Sequence, residues 1–579
     1  MNVEPAPTVA QPLRIRLTRA DRPAGTPSWF SERIVVRVAV VMLALGFVVL
    51  GAEGLDVGPG EARLALAARA SAGPLGQVYG YWAPDIWPGE LFPAMLFSWM
   101  SPGSQANGAI VRWPSALAAI LGGYLLARGM QRALGYRAAV SAAIAWFGSL
   151  AVIDRSAGAG LDVIFGQTGA GLDMVLGVLT FAAIDRVLDR GCDRVAGLWA
   201  SLAFLAGGWP PLMLIGLTII VIARPGSRPG PGLFLPPLVT AIAWSIPTIR
   251  MASTEVWASA LAMPLTRGID GLLVPRVLLL GLPWIPFALI AASRKVREDW
   301  PTRGRDWVVG WFQAAVASMI AGTVVPGLGP AARVVALAGL LVVAAAGIDL
   351  AWRRILSGRA RRVFFTAFSV ILAAWLFAMF VGCFTWIVTM PYYRALGICL
   401  AVVALGGAVL GWSALESGNT RRGLVTLVLL AAGLKLAHWG YYAPEWNYRL
   451  SQGPWGRGIG QWVPRKWPIY TFDPWPDDLA FYIGRTVRRL PSPRFLNYLP
   501  GKECRFVLIR ASDFDNWPDN SPPISVVARF LDASGEERIL ARTAGFFPVP
   551  APSQGNASAV THLDSLPAAL LFEDEDSPG

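Results

Sequence analysis

Four carboxylates gather in one loop of a chain that otherwise carries few charges. Asp56, Glu61, Asp85 and Glu90 fall within residues 54–107, beside Tyr79, Tyr81, Trp82 and Trp87. Acids at the edge of a bilayer are costly and are retained for a task. A carboxylate there can take a proton from an acceptor hydroxyl, and nearby arginines can hold a leaving phosphate. Arg63 and Arg69 stand in the same loop. Glu61 is the first candidate for the acid and Asp56 the second. Two structural readings compete with these. Glu61 would favour the first turn of a helix over 60–72 through the helix dipole. The two arginines would extend their charged heads to lipid headgroups.

Further candidates stand at the heads of later apolar runs. Arg112 precedes Trp113-Pro114, Asp162 lies in the loop 154–172, and Asp173 opens the next run. Asp173 can bind a substrate or pair with Arg112 or Arg155. Arg394 follows Pro391-Tyr392-Tyr393. A guanidinium fork matches phosphate oxygens, and the same residue beside two tyrosines also suits headgroup anchoring. Trp82, Trp87 and Trp99 can stack on a sugar ring or anchor at the interface.

The elements that must position these residues are apolar helices. The chain has 579 residues, 54% hydrophobic and 15% charged, with a mean hydropathy of +0.49. Soluble domains carry about 25% charged residues, so the composition specifies an integral membrane protein. The net charge of +13 does not call for nucleic acid, because the arginines sit in short loops between apolar runs. A crossing needs about 20 apolar residues. On that measure spans fall near 34–53, 108–128, 137–153, 169–188, 195–208, 210–223, 232–249, 271–292, 306–325, 333–350, 363–387, 394–414 and 422–440. The pair 195–223 is broken by Gly207, Gly208, Pro210 and Pro211 and reads as one long run or two short helices. Clusters such as Arg128/Arg132/Arg137 and Arg353/Arg354/Arg359 all fall on one side, the cytoplasmic one by the positive-inside rule. About thirteen spans then leave the C-terminus outside.

Residues 1–33 are polar, Pro-rich and basic and read as a disordered cytoplasmic tail. The membrane region is 34–441. Residues 442–550 mix prolines, short β-like runs and an amphipathic stretch from Asp477, which predicts a small extracytoplasmic α/β domain. Residues 551–579 read as a disordered acidic tail. Cys192, Cys383, Cys399 and Cys504 are scattered and predict no disulfide framework. With only His438 and His562, a His-rich metal site is excluded; no cofactor is specified, and a divalent cation at the carboxylates stays open.

The order of motifs resembles the GT-C superfamily of membrane glycosyltransferases. It is most similar to the group containing the lipid A aminoarabinose transferase and the protein O-mannosyltransferases. Gly60-Glu61-Ala62-Arg63-Leu64-Ala65 resembles the acidic motif of the family's first outer loop. Trp87-Pro88-Gly89-Glu90-Leu91 stands where the family has a Lys-Pro-Pro segment. Arg112-Trp113-Pro114 matches an arginine at the second span, and Gly171-Leu172-Asp173-Met174 an aspartate at the fourth. The resemblance runs over about 34–440. It implies an all-helical polytopic bundle, a polyprenyl-phosphate-linked sugar as donor and an acceptor in the cell envelope. It implies catalysis at Glu61 and Asp56, with Arg63, Asp162, Asp173, Arg112, Arg394 and Trp87 binding substrate. Three positions depart from the pattern. Gly60 replaces the first acid, Trp87 replaces the lysine, and Gly207-Gly208-Trp209-Pro210 replaces a later Lys-Gly. These departures leave a second expectation, a chain that binds lipid-linked sugar or a partner without transferring it. A transporter is the third, disfavoured by the absence of a visible repeat.

Overall fold

The structure is a computed structural model. Its described residues are 32–49, 61–62, 65–66, 108–155, 173–190, 194–222, 230–251, 269–292, 294–298, 300–353, 356, 358–449, 451–464, 467–472, 477–484, 487–499, 504–531 and 535–543. Helix α1 (Glu32–Ala44) continues as a π turn to Val49. Then come α2 (Gly108–Leu134), α3 (Tyr136–Phe147), a short helix Leu150–Arg155 and α4 (Asp173–Arg190). Gly207-Gly208 divides the next run into α5 (Arg194–Gly207) and α6 (Trp209–Ile222), so the two-helix reading holds. After α7 (Pro231–Met251), the expected span 271–292 is instead broken. Its halves, α8 (Leu273–Leu280) and a 3-10 segment Ile285–Ala292, meet at 94°. Gly281-Leu282-Pro283 lies at the break, where proline has no N–H to continue a helical ladder.

Five long helices follow: α9 (Thr302–Val324), α10 (Gly329–Trp352), α11 (Gly358–Phe384), α12 (Arg394–Ser417) and α13 (Thr420–Ala437). Among the described residues these five, with short extensions, are long and apolar enough to cross a membrane, and the bent pair makes a sixth if it is one span. The fold is thus a helical membrane bundle. α11 and α12 turn Phe377, Phe380, Val402 and Leu405 outward, faces that lipid covers.

α10 is the mast of the bundle. Its apolar run is buried on every side, as expected of a helix hydrophobic all round. Much of its surface is Ala and Gly, which lets neighbouring backbones approach closely. A Cβ on Gly339 would sit 2.6 Å from the Trp311 carbonyl oxygen of α9 and 2.8 Å from Ala315 Cβ. A backbone atom cannot swing aside. Gly339→Ala is therefore expected to destabilise by about 2 kcal/mol, within the overpacking range, read from unfolding in graded SDS micelles. A variant as stable as the parent would mean that α9 and α10 slip apart freely.

The C-terminal region holds a five-stranded mixed sheet in the order β2-β1-β3-β5-β4. β1 (Ile469–Thr471) lies parallel to β2 (Val487–Arg489) and β3 (Phe506–Arg510). β5 (Glu537–Thr543) runs antiparallel to β3 and to β4 (Ile524–Leu531). Alternation sets its faces. Phe506 and Leu508 pack with Ile459 of α14 (Gly453–Trp462) and Leu479 of α15 (Asp477–Ile483). Val507 and Ile509 face Leu490 and Leu496 on the other side. Phe481 of α15 belongs to the core of the helical bundle, and Leu66 packs against both that core and the sheet.

Candidate functional site

Gly122 of α2 faces Val178 of α4, and Gly129 faces Asp185 seven residues on. α2 and α4 therefore run side by side in the same direction. Gly177 of α4 lies against Val334 of α10, and the end of α10 reaches the end of α2, where the Arg353 guanidinium donates to the Leu134 carbonyl at 3.2 Å. The three helices thus share one N-terminal end, where Glu61 meets Arg112.

Arg112, in the first turns of α2, donates to Glu61 Oε2 from Nη2 at 3.1 Å and from Nε at 3.3 Å. Both side chains are buried, 3% and 5% exposed. Residues 61–62 and 65–66 are helical, and Ala62 and Ala65 are buried in the same core as the bundle. Residues 61, 62 and 65 thus sit inside the bundle. Arg333, in the first turns of α10, donates to Asp173 Oδ2 at 2.9 Å. Arg276 donates to Asp270 Oδ1 at 2.9 Å, and Asp270 lies against Gly329, the first residue of α10. Asp173 opens α4 and Asp270 sits at the head of α10, where the helix dipole favours negative charge.

The opposite end has its own set. Arg132 pairs with Asp185 at 3.0 Å and also with Asp189, and Arg353 pairs with Asp349 at 2.9 Å. These are the C-terminal ends of α2, α4 and α10. Two layers of ion pairs therefore close the two ends of one helix group.

Of the residues expected from sequence, Glu61, Arg112, Asp173 and Arg394 are described. Asp56, Arg63, Asp162 and Trp87 lie outside the described residues. Asp173 is expected from the sequence to pair with Arg112 or Arg155, and the side chain of Arg155 lies outside the described residues. Asp173 binds Arg333, and Arg112 is engaged by Glu61. The close approach of Gly177 to Val334 brings the Asp173 and Arg333 turns together. Arg394 is exposed at the head of α12, its Nε within 3.4 Å of the Ile387 carbonyl. Beside it Tyr393 and Trp386 pack on Tyr441. Lys435, buried in α13, is a residue the motif reading passes over; its signal is an ammonium inside an apolar run. Among the described residues no three His, Cys, Asp or Glu side chains come together to hold a metal.

A helical membrane bundle, an acid–arginine pair that ties Glu61 into its core, and a C-terminal mixed sheet make up an architecture that solved membrane structures share. The structure of ArnT from Cupriavidus metallidurans bound to undecaprenyl phosphate is similar over 89% of this chain and 99% of that one, with a TM-score of 0.67 at 16% identity. The same protein in the apo state matches over 88% of this chain and 98% of that one, with a TM-score of 0.61 at 16% identity. At such identity the likeness is one of fold. No protein-family model and no curated protein matches the sequence.

Proposed function

We propose that the chain moves a sugar from a polyprenyl-phosphate donor to a lipid, glycan or protein acceptor of the cell envelope, on the extracytoplasmic face. The observation that carries this reading is the buried Glu61–Arg112 pair. It holds Glu61 at the end of the bundle where Asp173–Arg333 and Asp270–Arg276 also gather. The likeness to a fold solved with undecaprenyl phosphate supports the donor class.

In this reading Asp56 takes the proton of the acceptor hydroxyl, and the acceptor oxygen attacks the anomeric carbon from the face opposite the phosphate. The bond from that carbon to the phosphate oxygen breaks, and its electron pair leaves with the polyprenyl phosphate. The configuration inverts. Arg63 and Arg394 neutralise the departing charge. Glu61 shapes the loop through Arg112, Asp162 and Asp173 orient the sugar, and Trp87 stacks on its ring. The same proposal takes about thirteen spans in the inner (plasma) membrane, with residues 1–33 cytoplasmic and 442–550 outside.

The test is transfer by purified protein in proteoliposomes, with radiolabelled polyprenyl-phosphate sugars and cell-envelope extract. Asp56→Asn is expected to slow transfer at least about a hundredfold with an unchanged melting temperature. Equal rates in Asp56→Asn and parent would overturn the assignment of the base. Gly60 and Trp87, which replace two charged family positions, favour a second reading in which donor is bound and never cleaved. Saturable donor binding by the parent, with no transfer to any fraction, would establish that reading instead.

A further inference from the structure

The chain has four lysines, Lys295, Lys435, Lys466 and Lys502, against forty-six arginines. Of the four, Lys435 alone stands within an apolar run, LLAAGLKLA, and the structure buries it to 7% exposure. An ammonium inside a spanning helix is expensive and belongs to the bundle interior. The packing of α13 shows which way it faces. Gly433 turns toward Trp375 and Val403, on the side of α11 and α12. Ala431 turns the other way, where a Cβ on Gly148 would lie 3.2 Å from both Ala431 Cβ and Trp284 Cζ2. Lys435 is one turn beyond Ala431 on that same side.

The stripe continues outward. At about 100° per residue, positions 435 and 438 fall within about 40° of Ala431. They are Lys435 and His438, and Tyr442 and Glu445 follow on the next turns. The His438 and Tyr442 rings are 5.1 Å apart, as residues sharing a face should be. The helix changes to a π turn over His438–Tyr442, an irregularity common at functional sites. Lys435 is buried, and His438, Tyr442 and Glu445 are half-buried. A polar stripe thus lines the interior of an otherwise apolar helix, with its cation at the deepest point. Glu445 lies ten residues further on.

We propose that Lys435 binds the phosphate of the polyprenyl carrier, a diester in the donor and a monoester in the polyprenyl phosphate released, with His438 and Tyr442 flanking it as hydrogen-bonding groups. This rests on the donor class proposed above and adds a residue to that site. A depth inside the bundle suits a phosphate whose chain stays in the bilayer. It also supplies a cation from α13 in a chain whose first loop has Trp87 at the family's lysine position.

The experiment is binding of undecaprenyl phosphate to the purified full chain in phosphatidylcholine nanodiscs, measured beside undecaprenol and phosphatidic acid. The parent is expected to prefer undecaprenyl phosphate over both. Lys435→Met should reduce that preference over undecaprenol at least tenfold, and Lys435→Arg should keep most of it. Melting without added lipid checks that each variant is folded. A folded Lys435→Met that keeps the parental preference overturns the assignment of Lys435 and leaves the donor class standing. Equal binding of undecaprenol by the parent overturns both. Equal binding of phosphatidic acid makes this a general headgroup site and overturns the proposal. Should Lys435→Met fail to fold, Lys435→Gln and Lys435→Arg are compared in its place, with the same outcomes deciding.

Discussion

Arg112→Leu is expected to destabilise the protein by about 3–5 kcal/mol, the range found when one partner of a buried ion pair is removed. The pair qualifies because neither side chain reaches solvent, at 3% and 5% exposure, and two nitrogens of one guanidinium meet the same carboxylate oxygen. Losing Arg112 removes both of the guanidinium donors that meet Glu61 Oε2 in a buried site. The double variant Glu61→Leu with Arg112→Leu removes both charges, and buried pairs replaced by apolar groups are often close to neutral. It should therefore recover most of the loss. Unfolding in graded SDS micelles measures both. A single variant that loses less than about 1 kcal/mol would mean that Glu61 reaches water or another cation, and that the loop is held by other means.

Gly177→Ala should cost about 3 kcal/mol, the upper end of overpacking. A Cβ built there falls 2.2 Å from Val334 Cβ and within 2.7 Å of both its methyls. Two packed helices must separate to admit it. That separation acts one turn below the Asp173–Arg333 pair, so the variant strains an ion pair it does not touch. Val334→Gly in the same chain clears the space and should restore most of the stability, since the clash is with that side chain. Failure of this rescue would show that another contact holds α4 against α10.

Much of the helical scaffold is legible in the sequence because its signal is local. The runs 306–325, 333–350, 363–387, 394–414 and 422–440 fall within the five long helices. The glycines and prolines of 207–211 mark the boundary between α5 and α6. The segment 271–292 is bent rather than straight, and Gly281 and Pro283 are the local signal for the bend. Candidate residues such as Glu61, Arg112 and Asp173 could be picked out by charge at the edge of an apolar run. Their partners could not. Glu61 meets Arg112 across 51 residues and Asp173 meets Arg333 across 160, and nothing local encodes which acid takes which arginine. That choice is made by helix packing, and specifically by a glycine at 177. Lys435 is the reverse case. Its signal was wholly local and was masked by the hydropathy of its neighbours.

The ion pairs at the two ends of α2, α4 and α10 have a mechanical consequence. α4 is tied to α10 at one end through Asp173–Arg333 and to α2 at the other through Arg132, while Arg353 ties α10 back to α2. A slide of α4 by one helical turn, about 5.4 Å, would part charged groups at both of its ends at once. The trio is a clamped frame with a fixed axial register. A machine that ferries solute by rocking or ratcheting its helices needs a register that can change. A frame of this kind instead keeps its geometry, and motion within the bundle falls to the elements outside the clamp.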